Sequence, residues 1–321
     1  SNEGMRMKNE RGAQRPSGLV IFFRLTRVQF LPLIILPSAV GTALAYRLDH
    51  SFNVLYFALV LTGVILLHLG ANAIDDCYDY QNGVDEIAND FFPKDFGGWK
   101  PLPRGMISLR NAKIISYALF AASLIFATYF YFVVGIWSLI FGVSGILLAI
   151  FYTAPPLRLD YLGYGLGELS ILFAFGPIPV IGSFYVQTGH LSLLALLVSV
   201  AVGLMTVTIL IDHDLIFYEV YSRARKFSLG TILGRATALK SSLVFTLIAY
   251  TIIIGLVWAR ELPVTCLLAP FLSAVMLFRK ASTFRKGSEP PPFYLPFTVN
   301  ALLSDWVFSL VLAITIALPV G

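Results

Sequence analysis

Nine apolar runs, each about as long as a bilayer is thick, recur along this chain of 321 residues, at about 29–46, 54–74, 112–134, 135–152, 166–186, 191–211, 238–258, 262–278 and 298–319. A hydrocarbon core of about 30 Å takes roughly 20 helical residues to cross. Lipid offers no hydrogen-bond partners, so each run has to satisfy its own backbone, and runs of Leu, Ile, Phe and Ala lack the alternation of a membrane barrel. The expected fold is all-α, a polytopic membrane bundle of about nine transmembrane helices. With 57% hydrophobic and only 13% charged residues, a soluble domain is excluded. Residues 19–321 are expected to form one transmembrane domain without a linker, and residues 1–18 a disordered cytoplasmic N-terminus. The opening SNEGMRMKNERGAQRP has no apolar core of a signal peptide, and Ser1 and Asn2 read as an expression remnant. In VIFFRLTRVQF, Arg24 and Arg27 flank aromatics, as in a helix lying at the interface.

When the spans are threaded alternately, all 23 Lys and Arg except Arg47 and Arg260 fall on the side of the N-terminus. That side is expected to be cytoplasmic, in the cell membrane. The net charge of +5 is therefore a topology signal, and no soluble basic domain exists to bind nucleic acid. Cys77 and Cys266 have no spacing that suggests a metal site or disulfide framework, and read as free thiols.

Two long segments on the basic side begin acidic: NAIDDCYDYQNGVD after span two and ILIDHDLIFYEVYSRARKFS after span six. Four spans separate them, which hints at a pseudo-repeat with both acidic ends facing one cavity. If span two continues helically to residue 79, Asp75, Asp76 and Asp79 project toward one face, with Asp85 close behind. Such like charges at a helix C-terminus repel and oppose the macrodipole. A divalent cation removes both objections, and hard oxygen ligands with sites left for water or phosphate describe Mg²⁺. Asn72, one turn earlier, adds an amide oxygen. In the second segment Asp212, Asp214 and Glu219 are the acids, with Asp212 and Glu219 seven apart and so expected on one helical face. Arg223, Arg225, Lys226, Lys100 and Arg104 are candidate partners for phosphate oxygens. Carboxylates, metal and basic groups at the mouth of an apolar bundle suit an isoprenyl diphosphate.

Other residues have blander readings beside the functional one. Glu168 suits a helix N-terminus as a cap. His68 and Asp305 lie deep in spans, where polar groups are expensive and often functional, yet each could be a satisfied core group. Trp99, Tyr152 and Tyr161 read as interface aromatics, or as ring faces that shield a carbocation.

Asn72, Asp75, Asp76, Asp79, Gly83 and Asp85 resemble the first aspartate-rich motif of the UbiA superfamily of intramembrane prenyltransferases. The likeness is to the branch of 1,4-dihydroxy-2-naphthoate polyprenyltransferases, with N-x-x-N-D-x-x-D-x-x-x-G-x-D as its usual pattern. YTAPPLRLDYLGYGLGELSILFAFGPIPVIGSFYVQTG resembles the same branch in its Pro-rich turn, GLGE, FGP and Y-x-Q-T-G. The resemblance implies a UbiA-type fold and a Mg²⁺-dependent transfer of an isoprenyl group. It implies Asp76, Asp79, Asp212 and Asp214 as catalytic residues, and Asp75, Asp85 and Glu219 with these four as metal ligands. Asn72, Lys100, Arg104, Arg158, Glu168, Tyr218, Arg223 and Lys226 would bind substrate. An aromatic acceptor such as 1,4-dihydroxy-2-naphthoate would then attack an allylic cation in a cavity that excludes water, within membrane lipid.

Two departures stand out. Asp75 occupies a position that is usually Asn, and the usual D-x-x-x-D followed by G-K-x-T is absent. Here Asp214 is followed four later by Tyr218, and three extra residues separate Asp214 from Lys226. These keep open an intramembrane terpene cyclase, which ionises the same substrate without an acceptor. A transporter would place its charges near span centres, whereas these carboxylates cluster at span ends.

Overall fold

Helix caps and glycines set the element boundaries. The computed structural model describes residues 16–92, 100–282 and 291–318. The first helix, α1 (Gly18–Thr26), is capped by Ser17, whose hydroxyl accepts from Val20 N, and ends at Arg27 in the left-handed region. Of the expected disordered N-terminus, Ser17 and Gly18 belong to this cap and helix, and residues 1–15, like Trp99, lie outside the described residues. A 3₁₀ turn leads into α2 (Pro32–Asp49). Asn53 caps α3 (Val54–Gln81), which has 28 residues and so extends about 42 Å. That is longer than the hydrocarbon requires, so its last turns carry Asp75, Asp76 and Asp79 beyond the apolar stretch as one continuous helix. Gly83, at φ 76°, turns the chain into α4 (Val84–Phe91).

Then come α5 (Leu109–Val133) and α6 (Ile136–Thr153), separated at Gly135 where the sequence predicts a break. The short α7 (Leu159–Leu162) precedes α8 (Leu166–Phe175) and α9 (Pro177–Thr188), which together make span five. Pro177 lacks an N–H, so the span is interrupted at Gly176. The remaining elements are α10 (Leu193–Ile216), α11 (Tyr218–Arg223), α12 (Leu229–Leu233), α13 (Arg235–Trp258), α14 (Leu268–Ser282) and α15 (Leu295–Ala317). Among the described residues, eight helices are long and apolar enough to cross a membrane, and a ninth apolar helix, Val264–Leu277, is shorter.

Packing is centred on α10. In α10, 72% of the apolar window is buried inside the protein, against 17% in α6, which therefore turns most of its surface to lipid. Val198, Val202 and Met205 of α10 pack with Val40 and Leu44 of α2, Phe184 of α9, Ile253 of α13, and Phe308 and Leu312 of α15. Small residues let backbones meet in this core. A Cβ on Gly41 would lie 2.0 Å from the carbonyl oxygen of Val180, which is backbone and cannot swing aside. Gly41→Ala is therefore expected to force α2 and α9 apart at a cost of about 1–3 kcal/mol, read as a lower thermal midpoint in detergent.

One expectation of helical register is corrected here. α10 stops at Ile216 and α11 begins at Tyr218, so Asp212 and Glu219 do not share a continuous helical face.

Candidate active site

The overrun of α3, the end of α10 and the loops around α4 and α7 converge on one cavity of about 780 Å³. Its charged end is lined by Arg27, Asp75, Asp79, Asp85, Lys100, Arg104, Asp160, Asp214 and Lys226. Its other end is apolar, with Phe30, Leu33, Val64, Leu67, Leu148, Phe175, Ile178 and Leu302. The two acidic segments thus face a single space, as the pseudo-repeat suggests.

Three cations are threaded among the carboxylates. Arg27 bonds Asp76 and lies 3.4 Å from Asp75. Lys100 Nζ is 2.8 Å from Asp85 and 3.5 Å from Asp76. Lys226 Nζ is 2.6 Å from Asp160 and 3.5 Å from Asp79, and lies 4.6 Å from the centre of the Tyr221 ring. Asp79 also accepts a hydrogen bond of 2.8 Å from the Tyr161 hydroxyl. Burial works against the charge of Lys226, but Asp160 and Asp79 outweigh it and raise its pKa. Burial pushes the Asp160 carboxyl up to about 6, and Lys226 beside it limits the rise. Asp85 is likewise raised by burial and restrained by Lys100.

Of the residues expected from sequence, Asn72, Asp75, Asp79, Asp85, Lys100, Arg104, Asp214 and Lys226 line the cavity. Asp76 is 1% exposed and braces Arg27 and Lys100. Asn72 donates to the Thr26 carbonyl and lies 3.2 Å from His68 Nε2, so its amide ties α3 to the end of α1.

The others point elsewhere. Asp212 accepts from Ser242 Oγ at 2.8 Å, between α10 and α13. Glu219 bonds Arg235 at 2.7 and 2.6 Å, and Tyr218 lies under the same guanidinium. Arg158 bonds Asn82 and covers the Tyr161 ring at 4.9 Å. Glu168 is buried and accepts from Leu229 N at 2.6 Å. Arg223 meets Asp90 at 3.5 Å with both side chains exposed. The break at Phe217 is the physical reason: it turns α11 off the axis that would aim Glu219 and Arg223 at the cavity. Arg223→Ala is accordingly expected to leave turnover within about threefold of wild type, because an exposed pair contributes under about 1 kcal/mol.

Sequence reasoning missed Arg27 and Asp160 at the site. Arg27 was absorbed into the topology signal, although its position just before span one faces the acidic end of span two. Asp160 was overlooked between Arg158 and Tyr161; an acid in an otherwise apolar and basic interspan loop was the available clue. Tyr152 lines the cavity, and its hydroxyl is buried with no partner among the described residues. His68 also lines it, edge-on to Phe175. Asp305 accepts from Thr206 at 3.1 Å, joining α15 to α10.

A sequence model of the UbiA prenyltransferase family matches residues 34–317. The chain belongs to the UbiA prenyltransferase family. It is accordingly an integral membrane prenyltransferase. This UbiA chain is 30% identical over 230 residues to UbiA prenyltransferase domain-containing protein 1 of Dictyostelium discoideum, covering 69% of this chain and 67% of that protein. It is 28% identical to 1,4-dihydroxy-2-naphthoate octaprenyltransferase of Haemophilus influenzae, over 92% of this chain and 96% of that one. A UbiA homologue from Archaeoglobus fulgidus, solved with GPP and Mg²⁺, superposes with a TM-score of 0.66 at 18% identity, covering 91% of this chain and 99% of that one, and confirms the fold.

Proposed function

We propose that this UbiA chain transfers an isoprenyl group from an isoprenyl diphosphate to an aromatic acceptor of the 1,4-dihydroxy-2-naphthoate class, through an allylic cation. The supporting observation is the single cavity, with carboxylates and cations at one end and apolar walls at the other. A diphosphate head with a hydrocarbon tail has the same division of chemistry. The relatives that act on 1,4-dihydroxy-2-naphthoate support the acceptor class.

The donor set suits a divalent cation. Asp75 Oδ1, Asp76 Oδ2, Asp85 Oδ2 and Asp214 Oδ2 are buried carboxylate oxygens without a hydrogen-bond partner among the described residues. Hard oxygens left over in this way fit Mg²⁺, and the UbiA homologue from Archaeoglobus fulgidus is bound to both GPP and Mg²⁺. Carboxylates drawn from Asp75, Asp79 and Asp214, with Asp76 and Asp85 beside them, would hold it only together with diphosphate oxygens. When bound, Mg²⁺ stabilises negative charge on a leaving diphosphate. Among the described residues no group of three or more His, Cys, Asp or Glu side chains is placed to hold a metal ion unaided, so diphosphate oxygens would have to complete the shell.

The chain's own groups do the rest. Arg27, Lys100 and Lys226 offset the diphosphate charge at the rim. Leu33, Leu67, Leu148 and Ile178 keep water from the cation, and the ring faces of Tyr152 and Phe175 stabilise it. The concentration of basic residues on the same side as the acidic rim supports a cytoplasmic site in the cell membrane.

The test is incubation of purified protein with geranylgeranyl diphosphate and Mg²⁺, with and without 1,4-dihydroxy-2-naphthoate. A product that requires the acceptor is expected. An acceptor-independent hydrocarbon or alcohol would instead identify a cyclase, and no consumption of diphosphate would overturn both.

A further inference from the structure

Lys226 lies in an irregular segment between α11 and α12, yet it is 5% exposed and lines the cavity. No long helix brings it there. From the break at Phe217 the chain runs through α11 and returns, so its course is not dictated by a continuous helix. Three contacts fasten the return to α7 and the start of span five. Leu162 and Phe227 form a parallel backbone bridge. Glu168 accepts from Leu229 N at 2.6 Å. Asp160 Oδ2 holds Lys226 Nζ at 2.6 Å, nearly 1 Å closer than Asp79 does.

We propose that Asp160 is a positioning residue, which holds the Lys226 ammonium at the place where charge develops on the departing diphosphate. The inference rests on the assignment of an isoprenyl diphosphate as substrate. The geometry around Asp160 supports a dedicated seat. Its carboxylate is 2% exposed, and a Cβ on Gly167 would lie 2.8 Å from its Oδ1. The glycine of GLGE thereby leaves room for the acid that orients the lysine. Tyr161, next in sequence, bonds Asp79, so adjacent residues brace both sides of the Lys226 ammonium.

Simple electrostatics and positioning predict opposite results for one variant. Removing a negative charge beside an anion site strengthens anion binding. Releasing Lys226 from its seat weakens stabilisation of the transition state, where an aligned charge counts most. Asp160→Asn is therefore expected to leave the KM for geranylgeranyl diphosphate unchanged or lower, while the single-turnover rate of diphosphate release falls at least tenfold. The fall should vanish in a Lys226→Met background, so that Asp160→Asn with Lys226→Met matches Lys226→Met alone within about threefold.

The comparison is made on full-length protein in detergent with Mg²⁺, with thermal midpoints recorded for each variant. An unchanged single-turnover rate in Asp160→Asn overturns the proposal, as does an equal fall with and without Lys226. If Asp160→Asn does not fold, Asp160→Glu, which keeps the charge but displaces it by a methylene, carries the same comparison with the same criteria. Failure of the substrate assignment is distinguishable, because wild-type protein would then consume no isoprenyl diphosphate at all.

Discussion

Asp79→Ala is expected to lower the rate of isoprenyl diphosphate consumption by about a thousandfold or more, and Asp76→Ala to do the same, while both proteins still fold. The loss of activity follows from losing oxygen donors where a metal and a leaving group are to be stabilised; removal of one preorganised group of that kind costs about 10²–10³ in rate, and a lost metal ligand more. Survival of the fold follows from the arrangement of the ion pairs. Without Asp79, Lys226 still has Asp160 at 2.6 Å. Without Asp76, Arg27 still has Asp75 at 3.4 Å and Lys100 still has Asp85 at 2.8 Å. No cation is stranded in either variant. Turnover and thermal unfolding on the same preparations check both halves, and wild-type rates in either variant would remove these carboxylates from the mechanism.

Arg27→Met is expected to give the largest loss of stability. Arg27 is the shared partner of Asp75 and Asp76, and the Asp76 side chain is only 2% exposed. Removing one member of a buried pair typically costs about 3–5 kcal/mol, because the remaining charge has neither water nor partner. Lys100, 3.5 Å from Asp76, offsets part of that. The thermal midpoint in detergent should fall clearly below wild type. Adding Asp76→Asn should restore much of it, because the stranded charge is then gone, without restoring turnover. An unchanged midpoint in Arg27→Met would show that the pair is already solvated.

The contrast between these residues explains what a sequence reading can reach. Asp75, Asp76 and Asp79 were legible because helical spacing alone places them together at the end of an apolar run, and the observed helix continues through Gln81, whereas Asp85 lies past the turn at Gly83, on α4. Asp214 was legible by the same logic at the end of α10. Asp212 was misjudged: a helix end shows different sides to different neighbours, and its side faces Ser242 of α13. Glu219 was misjudged because nothing local announces the break at Phe217, which depends on how α11 packs through Val220 and Tyr221 against Val84 and Phe92. Arg27 and Asp160 escaped because each meets its partner across a long stretch of chain. Arg27 lies 49 residues from Asp76, and no periodicity connects them.

The amino-acid sequence by itself determined the environment and the architecture: apolar runs of bilayer length have to be helices, and their basic flanks set the expected sidedness. It also determined that carboxylates gather at the ends of two spans, since residues three and four apart on a helix share a face. Only the tertiary structure decided which of those carboxylates look into the cavity and which cations meet them. Pairing of charges in a buried site depends on distances of a few ångströms between segments that are remote in sequence, and the interaction changes steeply over that range in a medium of low dielectric. Helical periodicity fixes directions within one element, but the relative rotation of α3, α10 and the α7 loop comes from packing around the core of the bundle.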